Sequence, residues 1–525
     1  MALARRAQSA VGAAGCVTAC PSSSRAARLA ALVAENWLFT TLLGAGALLR
    51  LLTVLAYRPA VEFVQDSFDY LDGARHLTPG LIRPIGYSVF LRVLSFTSHL
   101  TIIPITQHLL GLAMAVPLYA LVRRMGGRRG WAALAVAPLL LDPYQVYLEQ
   151  FLMAETLFEV LSVAGVVLLL WWERPSPLAC AAAGVALAAS ALTRSAGLLL
   201  LVPAGGFLVA RRVGVLRVAC LAIAALCVLG LYASWFGRVH GSFALEAYDG
   251  YFLAGRVEPF ADCRGLSLPP AEGLLCDYRP PAERPGSDWY IWNPDSPMRR
   301  KDVPPGTNRN QVAASFARRV IRHQPGDYLA VIASDTLHYF SLGRHTGRKD
   351  NPVQSWQYLT SFRADPWQPE YPPADVYVYQ WTWPGQAAVY NTTLARHGFS
   401  FEQVRPRLNR PIASDLRRYQ SYVYTPGPLL GAFVVAGLLA GVGRLGEPDR
   451  RLRWSAAYLG TSGLLLLVAA ATTSTFDYRY LLPSLVLLPP AGALALTLLE
   501  RRLSSRRGQA PAPALIEAAS PVRAS

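Results

Sequence analysis

The chain has 525 residues, 53% of them hydrophobic and only 16% charged. Soluble domains carry about 25% charged residues, so the composition excludes an ordinary soluble enzyme and fits a chain made for a bilayer. Lys+Arg exceed Asp+Glu by 50 − 33 = +17; no nucleic-acid partner is expected from this excess, because much of it sits in short segments between apolar runs, where it sets membrane topology.

Residues 1–36 are small and basic, with Arg5, Arg6, Arg25 and Arg28, and read as a cytoplasmic tail. The first span is predicted from about Leu38 to Tyr57, with Arg50 inside it about two turns from its outer end. An acidic loop, residues 58–99, follows. Asp66, Asp69 and Asp72 fall within seven residues of one another. A helix here puts Asp66, Asp69 and Tyr70 on one face. Residues 85–97 are amphipathic and are expected along the outer interface.

Further spans are expected at about 100–121, 131–148, 152–172, 177–192, 196–210 and 214–235. Hydropathy then collapses. Residues 236–425 are polar, aromatic and Pro-rich, long enough for a domain of their own. Spans eight to ten are expected at about 427–442, 454–471 and 479–499, within a C-terminal membrane segment 426–499. Residues 500–525 form a basic, Pro/Ala-rich tail expected to be disordered. The fold class is therefore an all-α polytopic membrane protein of about ten transmembrane helices. It comprises a transmembrane module over 37–235, an extracytoplasmic mixed domain over 236–425, and the C-terminal spans.

With the N-terminus inside, ten spans put the Arg-rich segments 123–129, 211–217, 444–453 and 501–507 on the cytoplasmic side. The outer side receives 58–99, 142–151, Arg194, the long loop and Thr472–Tyr478. Of the cysteines, Cys180, Cys220 and Cys227 fall in apolar runs. Cys263 and Cys276 share the outer loop, where an oxidising setting favours a disulfide between them. His76, His99 and His108 show no metal-like spacing, no Cys/His pattern resembles a zinc site, and no metal ligand is named.

The ionisable groups near spans gather at the outer level: Asp66 and Asp69, then Asp142, Glu149 and Glu155, then Arg194, then Asp477 and Arg479. Charges at membrane depth are costly unless paired or hydrated, so this pattern points to a site for a polar substrate. Plainer roles stand beside that one. Glu155 fits a helix N-terminal acid stabilised by the dipole, Arg194 fits a snorkelling residue, and Arg479 fits a partner for Asp477 that holds the turn. The aromatic residues of the long loop, among them Trp289, Tyr290, Trp292, Trp356, Tyr358, Trp367, Tyr377, Tyr379, Trp381 and Trp383, suit sugar rings but equally build small cores. A helix broken around Pro325 is expected over Ala313–Phe340, with Phe316, Val320, Leu329 and Ile332 as packing residues.

Asp66-Ser67-Phe68-Asp69-Tyr70-Leu71, followed by Arg83-Pro84-Ile85-Gly86-Tyr87, resembles the first outer loop of the GT-C membrane glycosyltransferases. Ala154-Glu155-Thr156-Leu157-Phe158 is similar to their Thr/Ser-Glu-x-Leu-Phe element, and Arg479-Tyr480-Leu481-Leu482-Pro483 to their Arg-Tyr-x-x-Pro element. The resemblance implies an enzyme using a polyprenyl-phosphate-linked sugar donor, with a glycan, lipid or protein acceptor, in the plasma membrane, with its site on the extracytoplasmic side. It implies inverting transfer, with Asp66 as the base matching the family acid and Asp69 beside it. It further implies donor-phosphate contacts from Arg83, Arg194, Arg479 and Tyr480, and support from Tyr70, Glu149 and Glu155. Metal use varies in that family; a divalent metal is left open and the sequence indicates none. The alternatives are a transporter or flippase for a lipid-linked or anionic solute, and a non-catalytic assembly or receptor protein.

Overall fold

The computed structural model of the chain describes residues 31, 33–97, 99–299, 307–361, 407–444 and 449–508. Most of the predicted tails 1–36 and 500–525 and the aromatic residues Trp367 to Trp383 lie outside them, but 500–508, expected to be disordered, are helical as the end of the last helix.

Regular structure among the described residues is almost wholly helical. The N-terminal module comprises α1 (Trp37–Ala56), α2 (Val64–His76), α3 (Gly86–Leu94), α4 (Ile102–Arg124), α5 (Arg129–Leu141), α6 (Pro143–Leu148), α7 (Glu155–Leu170), α8 (Pro177–Thr193), α9 (Leu201–Ala210) and α10 (Val215–His240). The long polar region holds α11 (Asp249–Val257), α12 (Pro270–Gly273), α13 (Ser287–Trp292), α14 (Arg309–His323) and α15 (Pro325–His338). The chain closes with α16 (Arg410–Tyr422), α17 (Gly427–Gly441), α18 (Arg450–Thr473) and α19 (Leu488–Gly508), the last preceded by a 3-10 segment, Tyr478–Val486. Two short strands, β1 (Tyr57–Arg58) and β2 (Arg407–Leu408), pair antiparallel, with Arg58 opposite Arg407.

Among the described residues, four helices are long and apolar enough to cross a membrane: α1, α4, α10 and α18. Two bent pairs raise the number to six if each is one span: α16 with α17, bent by 54°, and the 3-10 segment with α19, bent by 44°. By length and composition the described helices therefore give four to six spans, and the expected count of ten is not confirmed. The other apolar stretches are helical but broken. The stretch at 131–148 stops at Asp142, whose carboxylate accepts from Tyr144 N–H at 3.0 Å and restarts the chain as α6. The 13 residues left in α5 reach only about 20 Å, against a hydrocarbon core of about 30 Å. Hydropathy sums composition over a window and is blind to such breaks.

The bundle core forms where α4, α5, α7, α8, α9, α18 and α19 meet, with Leu118, Leu139, Phe158, Leu187, Leu459 and Leu494 buried. A second cluster lies above it and is mostly aromatic: Tyr57, Tyr147, Phe151, Trp356, Tyr358, Phe476 and Tyr478. The long polar region is thus tied into the bundle. Tyr358 OH lies 3.0 Å from Thr53 Oγ1, and Tyr57 OH donates to Leu359 O at 2.8 Å. The rest of that region has its own core around Tyr251, Tyr290, Ile291, Phe316 and Val320, with Cys263 bonded to Cys276 at its edge. Of the expected packing residues there, Phe316 and Val320 are buried, but Leu329 faces outward, because α15 presents that side away from the cluster. On α3, Val89 and Val93 are exposed at helical spacing, the pattern of an interfacial helix.

Candidate active site

The acidic stretch folds as α2, and Asp66 sits in its first turn. Its carboxylate is gripped from both sides. Arg83 Nη2 donates to Oδ1 at 2.7 Å, and Arg479 Nη1, 413 residues away in sequence, donates to Oδ2 at 2.9 Å. Arg479 is braced in turn by Asp477, whose Oδ2 lies 3.2 Å from its Nε, and its Nη2 donates to Tyr480 OH at 3.2 Å. Its guanidinium lies 5.0 to 5.5 Å from the ring centroids of Tyr480, Phe63 and Trp356. Arg194, at the C-terminal cap of α8, pairs with Glu155 at the start of α7 and lies 5.4 Å from the Tyr480 ring. Arg83, Asp66, Arg479, Tyr480, Arg194 and Glu155 therefore form one connected set drawn from four separated segments.

Local sequence explains the placement. Asp477 caps the 3-10 segment by accepting from Arg479 N–H at 2.9 Å, which turns the Arg479 side chain back toward α2. Gly86 lets the start of α3 press against the end of α8: a Cβ there would lie 2.6 Å from Leu192 O and 2.9 Å from Thr193 Oγ1. That contact brings Arg83 beside the Arg194 corner. Ser67 accepts from Phe63 N–H at 2.8 Å and donates to Leu152 O at 2.9 Å, pinning the first turn of α2 to the strand-like bridge between Val61 and Phe151.

The two aspartates are electrostatically unlike. Burial acts to raise Asp66, but the charges of Arg83 and Arg479 and their direct hydrogen bonds outweigh it and hold the carboxyl at about 2. Asp69 lies one turn further on. Its side chain is exposed at the surface, while neighbouring protein still displaces part of its water. That partial desolvation first, then the neighbouring charge of Asp66, push its carboxyl up to about 7 against the pull of Arg83. Arg83 Nε is buried with no hydrogen-bond partner.

Two of the expected residues sit elsewhere. Tyr70 is buried and packs edge-on against Tyr87 at 4.8 Å, in the apolar seam between α2 and α3. Glu149 lies in a separate buried network. Arg50 Nε and Nη2 hold its two oxygens at 2.8 and 2.7 Å, and His108 Nδ1 lies 2.9 Å from Oε2. Gly111 makes the room, since a Cβ there would lie 2.4 Å from Glu149 Oε1. Arg50 therefore turns inward and does not snorkel.

Sequence reasoning missed what lies behind Arg479. Asn351 Nδ2 donates to Asp477 Oδ2 at 3.2 Å, and Thr475 Oγ1 donates to Asp288 Oδ1 at 3.2 Å. Phe63 and Trp356 supply the ring walls. Asn351 and Asp288 come from the long polar region, where no periodicity marks them, and Trp356 was legible there only as one aromatic among many; Phe63, three residues ahead of Asp66, was the one within reach of a motif. Among the described residues, no group of three or more His, Cys, Asp or Glu side chains is placed to hold a metal ion. No family model matches the chain, nor does any curated protein or solved structure.

Proposed function

We propose that the protein is an integral membrane glycosyltransferase. It moves a sugar from a polyprenyl-phosphate-linked donor to an acceptor hydroxyl on a glycan, lipid or protein at the outer face of the plasma membrane. The observation that carries this reading is the convergence of Arg83, Arg194 and Arg479 on a site with one locked carboxylate and one open one.

In this reading the arginines receive the donor phosphate. Asp69 takes the proton of the acceptor hydroxyl. The hydroxyl oxygen attacks the anomeric carbon, and the carbon–oxygen bond to the phosphate breaks, its electron pair leaving on the lipid phosphate. Configuration inverts. A carboxyl held at about 2 is a weak base near neutral pH, whereas one at about 7 is matched to the task. The base role expected for Asp66 therefore passes to Asp69, and Asp66 becomes the residue that positions the two arginines.

Removing a charged phosphate contact costs about 1.5–3 kcal/mol. Arg479→Ala should therefore bind a polyprenyl phosphate roughly 10- to 100-fold more weakly than wild type, with no change for the matching polyprenol. Equal affinity of the two proteins for the phosphate would remove Arg479 from the donor site.

Counting the shorter and bent helices as spans gives the ten-span topology, with the long polar region extracytoplasmic. A thiol reagent added outside intact cells should then label Asp295→Cys and spare Arg128→Cys. Labelling of Arg128→Cys from outside would reverse the orientation.

The buried Arg50–Glu149–His108 network is what favours the transport reading, since ionisable groups inside a bundle commonly mark a path. Yet Arg50 also donates to Gly46 O, Leu139 O and Leu140 O, at 3.0 to 3.2 Å. A guanidinium so fully held is a brace between α1, α5 and α6.

A further inference from the structure

Apart from the Asp66 site, an open groove of about 620 Å³ lies at the end of α1, lined by Leu55, Arg58, Arg407, Leu408, Asn409, Arg410, Pro411 and Ile412. Three of these are arginines and none is acidic. Arg58 and Arg407 are direct partners across the β1–β2 ribbon, so both side chains leave the same face. Like charges directly opposite each other in an antiparallel pair are destabilising. Arg410 adds a third positive charge at the start of α16. All three are exposed, and none makes an ion pair with a carboxylate among the described residues. Asp415, the one acid of α16, pairs with Arg418 instead.

The groove also has an apolar approach. Leu48, Leu51 and Leu55 follow one face of α1 at spacings of three and four. Leu48 and Leu51 are 56% and 55% exposed on a helix long and apolar enough to span a membrane. The stripe ends at the arginines. We infer that this groove binds an anionic membrane phospholipid: the three guanidiniums take the headgroup phosphate, and one acyl chain lies along the leucine stripe. Charge complementarity names the headgroup and the continuous apolar stripe names the lipid, where a soluble anion would have no use for the stripe. Asn409 N–H donates to Ala56 O at 2.9 Å, so the ribbon that carries Arg407 is fixed to the end of the span.

The test is binding of phosphatidylglycerol to the full-length protein in neutral detergent, read by native mass spectrometry. Phosphatidylcholine and inorganic phosphate serve as the two comparison probes. A basic side chain near an anionic lipid surface contributes roughly a factor of five in affinity. The triple variant Arg58→Ala, Arg407→Ala, Arg410→Ala should therefore bind phosphatidylglycerol roughly 100-fold more weakly, with its thermal unfolding not lowered, since the repulsion across the ribbon is removed. Arg407→Gln alone, which leaves the other lining residues intact, should lose roughly 5-fold and serves if the triple variant does not fold. Phosphatidylglycerol affinity that survives both substitutions would overturn the assignment. So would equal wild-type affinity for phosphatidylcholine, or displacement of the lipid by millimolar inorganic phosphate, which would make the groove a site for free anions.

Discussion

Asp69→Asn is expected to lower sugar transfer by roughly 10²- to 10⁴-fold, the usual cost of losing a general base, while the protein folds and binds the lipid-phosphate donor normally. The substitution keeps size and most hydrogen bonding but removes the proton acceptor. The pH profile gives a second signature. A base works only when deprotonated, so kcat/KM of the wild type should rise with pH through a midpoint near 7, the value to which desolvation and the charge of Asp66 push Asp69. That limb should vanish in the residual activity of Asp69→Asn. Asp66→Asn should behave differently. It frees Arg83 and Arg479 from their shared anchor, so its defect should fall on donor KM, and the acid limb should persist but move to lower pH, because the Asp66 charge no longer raises Asp69. A full loss of kcat in Asp66→Asn, beside a nearly normal Asp69→Asn, would return the base to Asp66.

The second large effect is structural. Arg50→Ala removes the partner that holds both oxygens of a fully buried Glu149. Breaking one side of a buried ion pair typically costs about 3–5 kcal/mol, because the remaining charge is left without compensation. His108 stays beside Glu149 Oε2, so the lower end of that range is expected. The purified variant should show a clearly lowered unfolding midpoint. Adding Glu149→Leu to Arg50→Ala should recover much of the loss, because the stranded charge goes with it. A single variant as stable as wild type would show that the network contributes nothing to holding α1 against α5 and α6.

The sequence carried the parts of the candidate site that sit in short motifs. Asp66 and Arg83 are 17 residues apart on either side of one turn. Arg479 could be placed near them only by position, as a charged residue opening a late apolar run on the expected outer side. What could not be read is pairing. Arg50 and Glu149 are 99 residues apart, and nothing in either neighbourhood names the other. Nor could hydropathy distinguish Asp66 from Asp69: both are acids on one helical face, and the direct grip of Arg83 and Arg479 on Asp66 makes them unlike. Hydropathy also could not show where an apolar stretch breaks: the polar turn at Asp142-Pro143 interrupts the run at 131–148, whose average hydropathy barely registers it, whereas the break at Arg194 was legible as a charged residue between two apolar runs. The long polar region was legible as an insertion with helices flanking Pro325. The return of Trp356 and Tyr358 into the bundle was not, since an aromatic-rich stretch looks the same whether it builds its own core or completes another.

The central claim is sugar transfer from a lipid-linked donor. Its most direct measurement is to incubate the purified protein in a membrane mimic with radiolabelled polyprenyl-phosphate hexose and pentose donors and a cell-envelope acceptor extract. The account predicts label in the acceptor, stoichiometric release of polyprenyl phosphate, and loss of both products in Asp69→Asn. Intact donors throughout, together with movement of the labelled lipid across protein-containing vesicles, would contradict it and make the protein a transporter.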